Sequence, residues 1–177
     1  MRLFFALWPP AEVAQQLAEI ARSATDQFEG RPTRQESVHL TLAFLGEVSE
    51  ERLPLLIQTA QIIRAAPFVL NIDSLGYWHH NHLLWAGNAT PCVALGELVN
   101  DLQMVLSNAG FAVDGQNRIF TPHITLVRKF PQASAPLTLP VVETICWPCS
   151  RFVLVRSKGS ESGSSYQIIY DFSLRQY

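Results

Sequence analysis

His39 and His123 each stand two residues before a threonine. The segments are Val38-His39-Leu40-Thr41-Leu42 and Pro122-His123-Ile124-Thr125-Leu126. Both read His–apolar–Thr–Leu, and the two histidines are 84 residues apart, close to half of a 177-residue chain. An extended backbone alternates its side chains between two faces, so each segment carries His and Thr on one side and aliphatics on the other. Such a strand buries one face and offers an imidazole and a hydroxyl to a cleft. Two copies related by an approximate two-fold axis would surround one pocket with two imidazoles and two hydroxyls.

That set of groups suits phosphodiester hydrolysis. Imidazole titrates near neutrality, so one histidine can take a proton from water while the other gives one to the leaving oxygen. Thr41 and Thr125 can donate to the non-bridging phosphate oxygens, whose charge needs support as phosphorus becomes pentacoordinate. This chemistry requires no metal and no cofactor. A single histidine on a strand is usually structural; the same neighbours repeated around a second one mark a duplicated site.

The elements that must position these groups follow from periodicity. Residues 2–8 read as a buried strand stopped by Pro9 and Pro10, and 10–28 as a helix with Val13, Leu17, Ile20, Ala21 and Ala24 at helical spacing. Gly30-Arg31-Pro32 breaks that pattern, and 38–45 reads as a strand. A second helix starts at Ser49, an N-cap followed by two glutamates. Strands are expected at 67–75 and 82–87, then a helix over 91–109 closed by Gly110. Further strands are expected at 111–113, 119–127, 137–145, 151–156 and 166–174. This order indicates an α+β protein with mainly antiparallel sheets and helices packed outside.

Composition narrows the function classes. Nearly half the residues, 48%, are hydrophobic and 16% are charged, a globular balance that excludes a disordered chain. A formal charge of −2 gives no general grip on long nucleic acid, although one phosphate can still bind in a locally basic cleft. Arg31, Arg34, Arg118 and Lys129 flank the two motifs and could make its mouth positive. The apolar N-terminus is too short to cross a membrane. Three cysteines, an odd number, argue against a secreted disulfide framework and for a reducing cytoplasm.

Two other clusters carry chemistry of a different kind. Cys146-Trp147-Pro148-Cys149 is a C-x-x-C, but a redox pair needs a following helix and a strand is expected instead, which places the motif in a strand–strand turn. His79, His80 and His82 crowd one turn and read as a solvated hairpin tip.

At its paired motifs the sequence resembles the two-histidine (2H) phosphoesterases, in particular the RNA 2′,3′-cyclic phosphodiesterase (2′–5′ RNA ligase-like) branch. The resemblance covers nearly the whole chain: Arg2-Leu3-Phe4-Phe5-Ala6-Leu7, the run from His39 to Gly46, and the run from Phe120 to Arg128. It implies a single domain over residues 1–177, made of two pseudo-symmetric lobes whose two mainly antiparallel sheets form a central groove. It also implies a metal-free, cofactor-free, cytoplasmic monomer with no membrane association, acting on RNA ends or nucleotides that bear a 2′,3′-cyclic phosphate. The ring would open to a 2′-phosphomonoester, with 2′–5′ ligation as the reverse reaction. His39 and His123 would be the acid–base pair, and Thr41 and Thr125 the phosphate ligands.

Phe44 and Arg128 match family positions near substrate, which suggests a base stacked on Phe44 and a phosphate paired with Arg128. Both lie five residues past their histidine, an odd offset that demands a bulge or strand end to turn them back to the cleft. Ser37-Val38 stands where the family often has an Asn-Leu pair, so the resemblance does not carry over base preference. Tyr166, at the end of a loop from Ser157, could line the groove. Two other functions remain as alternatives: a non-catalytic nucleotide- or RNA-binding module on the same fold, and a thiol oxidoreductase using Cys146 and Cys149.

Overall fold

Strand β1 (Arg2–Leu7) is apolar on both faces, and the fold covers both. Leu3, Phe5 and Leu7 enter the main core, while Phe4 and Ala6 join a second buried cluster with Val153 and Val155. A computed structural model describes the chain apart from residues 116–118, 132–138, 140–141, 161–162 and 176–177. After β1 come α1 (Ala11–Gln27), β2 (Arg31–Pro32), β3 (Leu40–Glu47), α2 (Leu53–Ala60), β4 (Phe68–Ile72), β5 (Ser74–Trp78) and β6 (Leu83–Gly87). Then follow α3 (Val93–Asn108), β7 (Ile124–Arg128), β8 (Ile145–Cys149), β9 (Arg151–Ser160) and β10 (Gly163–Ser173). This is an α+β fold with two antiparallel sheets. Among the described residues no helix is long and apolar enough to cross a membrane.

The large sheet runs β10-β9-β1-β3-β7-β6-β5, with β2 added on β7, and the small one is β4-β8. Its two arms meet at one residue pair, Leu40 opposite Ile124, both fully buried. These are the residues immediately after the two histidines. Beyond that pair β3 and β7 diverge, and the short β2 pairs with the far end of β7, Arg31 opposite Arg128. The order β1–α1–β3 recurs as β6–α3–β7, and in each case the two strands pair antiparallel. The helices exchange sides: α1 packs on β7 and β8, and α3 on β3 and β4. Their buried stripes, Val13, Leu17 and Ala21 on α1 and Leu95, Leu98, Leu102 and Leu106 on α3, share one core with both arms.

Gly110 ends α3 in the left-handed conformation, φ +75. Its N–H donates to the Ser107 carbonyl at 2.9 Å and the Phe111 N–H to the Leu106 carbonyl at 2.9 Å. This closes the helix through a Schellman turn that also buries Phe111.

Several expected elements are placed differently. Residues 111–113 form no strand: Phe111 is apolar because it packs into the core under the Arg52 guanidinium, 4.1 Å away. The expected strand 119–127 begins only at Ile124, and the first motif's strand only at Leu40, so both histidines stand just ahead of their strands. The run 67–75 is two strands in different sheets, broken at Asp73, whose side chain accepts from the Ala89 N–H at 2.7 Å. Of the expected strand 137–145, residues 137–138 and 140–141 lie outside the described residues, and 139 and 142–144 form no strand. The strand there is β8, which contains the C-x-x-C rather than preceding it. It alternates buried and exposed from Ile145 to Cys149 and sets Pro148 on the edge of a two-stranded ladder. Gly30-Arg31-Pro32, expected as a break, supplies β2, and residues 157–160 and 163–166, expected in a loop, lie on β9 and β10.

Candidate active site

A groove of about 570 Å³ opens where the two arms diverge. His39, His123, Thr41, Thr125, Phe44 and Arg128 all line it. The local cause is the same in both arms. In the β1–β3 ladder Ala6 faces Thr41 and Phe5 faces Ala43, which leaves Leu42 as an extra residue. In the β6–β7 ladder Trp85 faces Thr125 and Leu84 faces Val127, which leaves Leu126 extra. Each bulge falls three residues past its histidine and puts two consecutive side chains in the core, Leu42 with Ala43 and Leu126 with Val127. The parity of the strand is thereby reversed, and Phe44 and Arg128 return to the groove side.

The two imidazoles are held alike. His39 Nδ1 lies 2.7 Å from the Ser37 carbonyl and His123 Nδ1 lies 2.9 Å from the Thr121 carbonyl. A carbonyl only accepts, so Nδ1 carries the proton on both rings and Nε2 is left as the reactive nitrogen. Burial pushes the His39 pKa down to about 4; the Ser37 carbonyl opposes this, and the charges of Arg128 and His123 add to it. His123 is also lowered, by burial first, against the Thr121 carbonyl and with Arg128. Without an anion both rings are therefore neutral at pH 7, and an incoming phosphate would raise both pKa values by offsetting Arg128.

Aromatic rings fix the imidazoles. The Trp8 indole stacks on His39 within 2° of parallel at 5.3 Å, with Phe4 and Tyr166 each at 5.0 Å. His123 takes the edge of Trp78 at 4.5 Å. Tyr166, Arg31 and Arg34 line the groove as the sequence suggested; Lys129 does not appear in its lining, and Arg118 lies outside the described residues. Arg2 lines it too, its guanidinium 5.1 Å over the Phe44 ring, so one face of Phe44 is already covered. Trp8 and Arg2 had a readable signal. They share the β1 face of Phe4 and Ala6, and a strand apolar on both sides must be covered on both.

Cys146 is exposed and Cys149 buried, on a strand rather than at a helix N-terminus. Burial, with Cys92 nearby, pushes the Cys149 thiol up to about 12, away from redox reactivity. His79, His80 and Asn81 form an exposed hairpin tip with His82, whose Nδ1 lies 3.2 Å from the Tyr77 hydroxyl. Among the described residues no group of three or more His, Cys, Asp or Glu is arranged to hold a metal.

Comparison with known proteins gives a consistent family. The LigT-like phosphoesterase model matches residues 7–85. The RNA 2′,3′-cyclic phosphodiesterase of Escherichia coli is 39% identical over 139 residues, covering 78% of this chain and 76% of the relative. That of Thermus thermophilus is 34% identical over 183 aligned positions, covering 99% of this chain and 91% of the relative. The crystal structure of E. coli LigT with 3′-AMP superposes with a TM-score of 0.85 at 34% identity, covering 99% of this chain and 98% of that one.

Proposed function

The chain belongs to the LigT-like phosphoesterase family, and from that premise we propose that it hydrolyses a terminal RNA 2′,3′-cyclic phosphate to a 2′-phosphomonoester through His39 and His123. The observation that carries this reading is the pair of Nε2 atoms presented to one groove by two carbonyl-anchored imidazoles. One histidine takes a proton from water as the water oxygen bonds to phosphorus. The other protonates the ribose 3′ oxygen as the P–O3′ bond breaks. Thr41, Thr125 and Arg128 stabilise the charge on the non-bridging oxygens. Phe44 offers a ring for a base.

An RNA 5′-hydroxyl in place of water would give a 2′–5′ linkage with the same groups. Two imidazoles and two hydroxyls in one groove can supply the acid, the base and the phosphate donors, which supports a metal-independent reaction. The two arms, with one shared core, support a single domain of two pseudo-symmetric lobes. Free thiols on all three cysteines favour the cytoplasm.

The test is a short RNA ending in a 2′,3′-cyclic phosphate, incubated with excess EDTA. Wild type should open the ring to a 2′-phosphate, and His39→Ala and His123→Ala should each lose on the order of 10²- to 10⁴-fold in rate. RNA binding without turnover by wild type would leave a binding module as the function.

A further inference from the structure

A cyclic phosphodiester carries one negative charge, and Arg128 with two threonine hydroxyls suffices to meet it. The groove holds more positive charge than that. Arg2, Arg31 and Arg34 also line it and, among the described residues, no Asp or Glu does, in a chain of formal charge −2. Arg34 is paired with Glu36 at 3.3 Å, whereas among the described residues Arg2, Arg31 and Arg128 make no ion pair.

Arg31 stands directly across the β2–β7 ladder from Arg128. Like charges in that relation repel each other. The backbone nonetheless holds them together. Gly30 has φ +145, and a Cβ there would meet Val127 Cγ1 at 2.6 Å, so only glycine lets β2 lie this close to β7. The Thr33 N–H then donates to the Leu126 carbonyl at 2.7 Å. At the same end Arg34 donates to the Ser164 carbonyl at 3.4 Å, across the groove on the β9–β10 hairpin. A two-residue strand thus sets one arginine across from another on the strand that follows His123, and among the described residues neither makes an ion pair.

We propose that Arg31 and Arg34 hold a second phosphate, on the 5′ side of the nucleoside whose cyclic phosphate is opened. This rests on the reading of the groove as the site of an RNA end. It makes the preferred substrate class a nucleotide end with two phosphates, bound at its cyclic phosphate by the two motifs and at the other by β2. The second phosphate is either the internucleotide phosphodiester of an RNA chain or a 5′-phosphate on a single nucleotide.

Calorimetric titration of the full chain distinguishes these with product-like ligands that are not turned over: adenosine 2′-phosphate, adenosine 2′,5′-bisphosphate, and the dinucleotide ApA carrying a 2′-phosphate. Wild type should bind at least one of the latter two about tenfold more tightly than adenosine 2′-phosphate, the worth of one charge-assisted hydrogen bond. The log–log salt dependence should steepen by roughly 0.7 for the added phosphate contact. A gain confined to the dinucleotide identifies the RNA phosphodiester, and one confined to the bisphosphate identifies the 5′-phosphate. Arg31→Gln should abolish the gain and Arg34→Gln should reduce it, with an unliganded melting temperature for Arg31→Gln no lower than wild type because a repulsion is removed. Equal affinity for all three ligands in wild type, or a gain that survives both substitutions, would overturn the proposal. Turnover of adenosine 2′,3′-cyclic phosphate by the same preparation reports the hydrolase reading separately; its failure beside a persisting two-phosphate preference would sink that reading and not this one.

Discussion

His39 and His123 open equivalent strands, yet the molecule surrounds them differently. Each is anchored by a carbonyl two residues back and followed by a bulge at the third residue. His39, however, lies against Trp8, Phe4 and Tyr166, at the edge of the buried cluster formed by Phe4, Ala6, Val153 and Val155. His123 has Trp78 at its edge and Trp85 behind that, 5.4 Å from Trp78. The repeated motif anchors the two imidazoles alike, and burial lowers both proton affinities, that of His39 to about 4. Acid–base catalysis needs one ring protonated and the other neutral, and different surroundings determine which ring takes the proton first.

Three measurements test how far the two histidines differ. The largest effect concerns the feature the halves share. Thr41→Val and Thr125→Val should each lower kcat/KM for adenosine 2′,3′-cyclic phosphate by on the order of 10²-fold, the usual worth of one donor to a developing oxyanion. A loss confined to one threonine would mean that only one half holds the phosphate.

The feature in which they differ should appear in the pH profile of kcat/KM, which reports the free enzyme. Both folded pKa values lie below 6.5, so the singly protonated pair is populated on the acid side. Activity should rise as pH falls from 7.5 and decline again as His39 is protonated near pH 4. Trp8→Ala admits water to His39, raises its pKa and moves the acid limb to higher pH. Trp78→Ala should instead move the alkaline limb, through His123. If either variant shifts both limbs, the two environments are not separate.

The smallest effect is on stability. Both histidines are held neutral by burial, so their folded pKa values are depressed and the unfolded chain binds protons the native one does not. Their contribution is complete above pH 6.5 and declines as pH falls, for His39 down to about 4. Urea midpoints at pH 7 and pH 4.5 should therefore differ less in His39→Gln than in wild type, and His123→Gln should lie between them. Equal pH dependence in all three proteins would place the acid lability elsewhere.

Much of this was legible in order along the chain. The spacing of Val13, Leu17 and Ala21 predicts α1, the His–apolar–Thr repeat marks the two strand starts, and the odd offset of Phe44 and Arg128 demands the bulges that the ladders contain. The less legible parts are those whose periodicity ends in a tertiary contact. Phe111 looks like a strand residue and is a helix stop packed under Arg52. The C-x-x-C reads as a turn because it falls between two expected strands, and it is itself a strand because an edge ladder admits its proline.

By itself the sequence determined which groups face which side: alternation puts His with Thr and leucine with leucine wherever the backbone is extended, whatever the strand pairs with. Only the tertiary structure decided which faces meet. Leu40 opposite Ile124 brings the two motifs to one groove, Gly30 lets β2 set Arg31 beside Arg128, and Trp8 closes over His39. Proton affinity and phosphate preference depend on such neighbours, because desolvation and charge act through space over a few ångströms and take no account of distance along the chain.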